Sequence, residues 1–191
     1  MAAAIGGMTG QSAARAGAAI GSAIFSVFGA GWLIVWSQKF MGEAPAVWGA
    51  IALLGMALLL AAIKQYKRNQ AAHAAEAETP ESKRAAKVFN WVNAGQGIAI
   101  FLALNVVNNI GHPEWFIPAF IFVVGAHFIP LAPVFKAPRH YVVGFALMLL
   151  ALAYPLLAKG GAADPVGCLG TGLILWASAI SGLLPERSAQ R

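Results

Sequence analysis

The sequence predicts an all-α fold: a polytopic transmembrane helix bundle of about six spans, with both termini cytoplasmic. Three observations predict it. Of 191 residues, 59% are hydrophobic and only 10% charged, against about 25% charged in an ordinary soluble domain, so the chain has too little polar surface to solvate a globule. The apolar residues are gathered into long runs. The basic residues lie between those runs and are distributed unequally between the two sides that the runs define.

The first run, Ala18–Trp36, follows a small, glycine-rich stretch, MAAAIGGMTGQSAARAGA. Arg15 before it and Ala44-Pro45-Ala46 after it loosely resemble a signal peptide with a cleavage site. The run is longer than the roughly 7–15 residues of a signal core, and removing it would invert the charge balance of the remaining spans. It is therefore expected to be a retained first helix. Val47–Ile63 forms the second run and completes a hairpin. Val88–Ile110, Trp115–Phe135, Tyr141–Ala158 and Pro165–Leu184 follow. Each approaches the ~20 residues that cross a hydrocarbon core of about 30 Å. The expected organisation is an N-terminal cytoplasmic segment over 1–17, a transmembrane hairpin over 18–63, a basic cytoplasmic loop over 64–87, a four-helix region over 88–184 and a cytoplasmic tail over 185–191. Within the loop, AAHAAEAE reads as a short surface helix.

Charge sets the expected orientation. With the N-terminus inside, Arg15, Lys64, Lys67, Arg68, Lys83, Arg84, Lys87, Lys136, Arg139, Arg187 and Arg191 fall on the cytoplasmic side. Only Lys39 and Lys159 fall outside, which is the positive-inside pattern. Trp32, Trp36, Trp48 and Trp115 gather at the outer boundary, and Tyr66, Trp91 and Tyr141 at the inner one, as headgroup-level rings do. The same account explains the net charge of +6 without nucleic acid as a partner. The two halves share no convincing pattern, so an inverted repeat of the transporter kind is not expected.

The third run carries the most unusual chemistry. NWVNAGQGIAIFLALNVVNN, Asn90–Asn109, holds five asparagines, one glutamine and no charge. At about 100° per residue, Asn90, Asn93, Asn105 and Asn108 share one helix face about 120° wide, with Gln96 and Asn109 further round. An unpaired amide facing lipid costs several kcal/mol. The face is therefore expected to look into the bundle or a hydrated cavity, with Gly95 and Gly97 allowing close approach. Amides that join neighbouring helices are an ordinary structural device; a ligand or water pathway is the functional alternative.

In the fourth run, FVVGAHFIPLAPVFKAPRHY places His127 deep among apolar residues. A neutral imidazole is expected there, bonded to a carboxamide near Gln96 or to a carbonyl. Pro130 frees the carbonyl of Ala126 next to it. Tyr154-Pro155 repeats the theme in the fifth run, and the glycines of VGCLGTG, Val166–Gly172, permit tight helix contact nearby. The candidate ligand or polar-pathway residues are thus Asn93, Gln96, Asn105, Asn108, His127 and Tyr154.

Other chemistry finds no support. Glu43, Glu114 and Asp164 belong to outer connections, and Glu76, Glu78, Glu81 and Glu186 to the inner side, so no acid lies within a span. The sequence has no phosphate loop, HExxH or GxSxG. His112 and His140 are expected at opposite surfaces, and the lone Cys168 builds neither a disulfide nor a thiolate cluster. No catalytic residue, metal site or cofactor is assigned.

NAGQG and the run VVGAHFIPLAPVF, Val123–Phe135, followed by a short basic turn, resemble an uncharacterised family of small multi-spanning bacterial membrane proteins. The resemblance spans the chain from Asn93 onward and implies a helical membrane fold without an activity. The leading expectation is an integral protein of a bacterial inner membrane that binds or passes a small neutral or weakly polar molecule along the asparagine face. The alternative is an interaction or scaffold protein with a cytoplasmic basic loop, and the third a membrane-embedded enzyme using His127. Expected partners are membrane lipid, a small-molecule ligand or a second copy in a homo-oligomer.

Overall fold

A computed structural model describes residues 2–184, with side chains from residue 10 onward. The described residues are 90% helix and contain no strand. Six helices follow in order: α1 Ala2–Met41, α2 Pro45–Ala77, α3 Pro80–Asn109, α4 Phe116–Val134, α5 Arg139–Leu157 and α6 Val166–Leu183. Short 3-10 turns, Pro113–Trp115 and Gly161–Ala163, precede α4 and α6. All six helices are long and apolar enough to cross a membrane, so the chain is a multi-pass membrane protein by length and composition.

The first three helices outrun the expected spans. α1 has 40 residues, about 60 Å at 1.5 Å per residue, and the segment expected before Ala18 is the start of the same helix. Residues 64–87 are likewise not a loop. α2 runs on to Ala77 and α3 starts at Pro80, leaving Glu78 and Thr79 between them. Thr79 makes that break local. Its side chain accepts from the Ser82 N–H at 3.2 Å and donates to the Glu76 carbonyl at 2.8 Å, while Pro80 enters the helix where its missing N–H costs nothing. The expected tail, 185–191, lies outside the described residues.

Two helix ends share one closing geometry. After α3, Gly111 N–H donates to the Asn108 carbonyl and His112 N–H to that of Val107, with Gly111 at φ +77°. After α4, Lys136 N–H donates to Pro133 and Ala137 N–H to Ala132, with Lys136 at φ +51°. Both satisfy the last carbonyls through a left-handed residue, but only the first uses glycine for it.

α1 packs along α2 and α6, α4 pairs with α5, and α5 meets α6. Edge-to-face contacts between Phe25 and Phe128, and between Trp32 and Phe120, tie α1 to α4. Phe25, Ile121, Leu147, Leu175 and Ala179 lie at the centre. Small residues let the backbones approach: a Cβ on Gly172 would stand 3.0 Å from the Gly29 carbonyl oxygen. The buried hydroxyls of Ser26, Ser37 and Thr171 each donate to a carbonyl of their own helix, a solution that suits a medium without water. α3 stands apart, packing on α4 with little contact to α2.

Candidate functional site

The amide face is built by the pitch of α3 and by which of its apolar residues α4 holds. Val107 is buried, and Phe89 meets Phe135 edge-on at 5.6 Å between ring centres. Around the wheel these two, with Ile100, lie about 100° from Asn90 and Asn108. Turning that apolar stripe onto α4 turns the asparagines away. The expectation that the face looks into the bundle is therefore corrected for the single chain: Asn90, Asn105, Asn108 and Asn109 are exposed, and Asn93 and Gln96 are half-buried on the flank towards α4. A Cβ on Gly95 or Gly97 would have nothing within 4 Å, so among the described residues no helix approaches them.

The amides also find few partners. Asn105 Nδ2 donates to the Phe101 carbonyl on its own helix at 2.7 Å. Among the described residues, no hydrogen bond joins Asn93, Gln96 or Asn108 to another helix. The six candidates consequently do not form one site.

His127 is half-buried on α4 and its Nδ1 donates to the carbonyl of Val124, one turn earlier. Of the two expected acceptors, a carboxamide or a carbonyl, the ring thus meets a carbonyl, but that of Val124 rather than the Pro130-freed one of Ala126, because the imidazole folds back along its own helix. Its ring lies 4.1 Å from that of Phe128, and the His140 ring lies 5.8 Å from Phe128. The two histidines thus flank one phenyl ring, a juxtaposition the sequence reading missed. Its signal was the turn Lys136–Pro138, short enough to bring the first residues of α5 alongside α4. His140 Nδ1 is also occupied, by the Ala137 carbonyl at 3.1 Å.

Tyr154 is buried and belongs to a different place. Its hydroxyl donates to the Ala162 carbonyl at 3.1 Å, and its ring fills the space over Gly167. It anchors the connection between α5 and α6. That connection helps form a cavity of about 290 Å³ edged by Lys39, Glu114 and Asp164, drawn from three separate segments and invisible in the linear sequence. Its two carboxylates are already engaged: Asp164 accepts from the backbone N–H of Gly160 and Val166, and Glu114 Oε1 lies 2.9 Å from His112 Nδ1. Among the described residues, no three histidine, cysteine or acidic side chains gather as a metal would need.

No protein-family model, curated protein or solved structure matches this chain, so the geometry carries the functional reading.

Proposed function

We propose that this chain is a non-enzymatic multi-pass protein of a bacterial inner membrane that works by assembly, presenting α3 to a neighbouring transmembrane span. The supporting observation is the burial of α3. Only 6% of its most apolar 18-residue window is buried within the chain, against 17% to 44% in the other five spans, yet it carries Asn90, Asn105 and Asn108 on the uncovered side. Carboxamides facing hydrocarbon are unfavourable by several kcal/mol, and a partner helix removes that cost. In this reading both termini and the helix ends over 64–87 lie in the cytoplasm, following the bias of basic residues.

The rival reading, a path for a small neutral molecule, makes the same face wet rather than covered. Cysteines placed at Ala94, Asn105 and Asn108 in a Cys168→Ala background distinguish them in native membranes. Assembly predicts slow reaction with a small, membrane-impermeant thiol reagent, together with a protein adduct from a photoreactive side chain at Phe101. Fast aqueous labelling at all three depths, or adducts to lipid alone, would overturn the proposal.

A further inference from the structure

Along the uncovered side of α3, Asn90, Ala94, Gly97, Phe101, Leu104 and Asn108 are all exposed. Their spacing alternates four and three residues. That is the heptad seam by which two helices wind left-handedly around each other, and it runs the length of the membrane-spanning part. Among the described residues no helix covers it. We infer that the seam is filled by the same seam of a second copy, so that the assembly proposed above, on which this inference rests, is a parallel self-pairing of α3.

Three features favour an identical partner over a different one. A carboxamide is both donor and acceptor, so Asn90 and Asn108 can each pair with their own counterpart at the same depth, at either end of the seam. Asparagines at seam positions in parallel pairs set register and partner number. Copies inserted with the same orientation meet only in parallel, and position then faces like position: Ala94 and Gly97 come together where backbones can converge, while Phe101 and Leu104 fill the seam beyond. Gly97 has open space where that approach would occur. Towards the basic end the spacing continues through Lys87 and Lys83. Like charges there end the contact and splay the helices near the membrane surface.

Differently tagged copies, co-expressed in a Cys168→Ala background and oxidised in native membranes, test this. Same-position disulfide dimers are expected with Ala94→Cys, Gly97→Cys and Leu104→Cys, and not with Gly95→Cys or Val106→Cys, which are exposed but off the seam. Asn108→Leu, added to the Leu104→Cys chain, should weaken association roughly three- to tenfold, as expected for one interhelical amide bond; Asn108→Gln should recover most of it. If the seam cysteines give no dimer while a photoreactive residue at Phe101 reacts with a different membrane span, self-pairing is refuted and the assembly reading survives. If neither occurs and Asn108→Cys reacts rapidly with the aqueous reagent, both fail. Dimers formed equally at seam and off-seam positions would also overturn the inference, since they report collision rather than a fixed contact.

Discussion

Gly125 of α4 and Gly144 of α5 face each other across a contact with no room for a side chain: a Cβ on either would stand 2.8 Å from the other's carbonyl oxygen. The opposing atoms are backbone, so they cannot swing aside. Gly125→Ala or Gly144→Ala should push the helices apart at a cost of about 1–3 kcal/mol, seen as a lower unfolding temperature in detergent. Gly95→Ala is the control. Nothing lies near it, and a helical glycine replaced by alanine gains up to about 1 kcal/mol. Equal effects at the three positions would show that the α4–α5 contact is looser than described.

Lys136 ends α4 in the left-handed region at φ +51°, a conformation that costs a side-chain-bearing residue about 1–2 kcal/mol. Lys136→Gly should relieve part of it. The unfolded chain also gains freedom, so a net stabilisation of roughly 0.5–1 kcal/mol is expected. A destabilised variant would mean that the lysine side chain contributes more than its backbone costs.

The existence of the six helices was legible in the sequence because bilayer thickness demands long apolar runs, and those runs have no soluble explanation. Their ends were less legible. Hydropathy falls at Lys64, but helix hydrogen bonding does not depend on hydropathy, so α2 continues through AAHAAEA until Thr79 and Pro80 break it. The amide face was visible as a pattern, but its direction was not. That depended on whether the asparagines or the stripe of Phe89 and Val107 turned inward, and only the packing of α3 on α4 decides it. Sequence depth placed His127 near Gln96, whereas the ring bonds to its own helix. The contact of His127 and His140 with Phe128 required knowing how tightly the α4–α5 turn folds.

Tyr154 donates to Ala162 from a buried position, which assigns it to holding the α5–α6 connection. Tyr154→Phe keeps the ring over Gly167 and removes one hydrogen bond, so a loss of about 0.5–1.5 kcal/mol is expected. Association through α3 should not change, because Tyr154 is remote from that helix in the packing order. Reduced α3 crosslinking in a fully folded Tyr154→Phe chain would contradict this placement.

The proposed orientation is checked at two exposed alanines. Ala75→Cys, near the end of α2, should be protected from an impermeant thiol reagent in intact cells and react after permeabilisation. Ala163→Cys, in the outer 3-10 turn, should react in both. Ala163 is preferable to its neighbour Gly161, whose φ of +59° a cysteine would strain. Labelling of Ala75→Cys in sealed cells would invert the topology and place the basic helix ends outside.

His127 donates to the Val124 carbonyl of its own helix and packs on Phe128, and we propose that its role is structural. Residue 128 retains its backbone N–H, so the Val124 carbonyl keeps a helical partner whatever replaces the imidazole. Removing the histidine then strands no buried acceptor, and the loss is one hydrogen bond and some ring contact. His127→Gln, which can still donate one turn back, should unfold within a few tenths of a kcal/mol of the parent. His127→Leu should lose up to about 1 kcal/mol, and both variants should pair through α3 as the parent does. A histidine that moves a proton or performs chemistry behaves differently: glutamine and leucine would both abolish the function while unfolding temperature stays unchanged. Thermal unfolding and seam crosslinking measured on the same two variants separate the cases. Loss of crosslinking in both, with stability intact, would overturn the structural assignment and couple His127 to the assembly of α3.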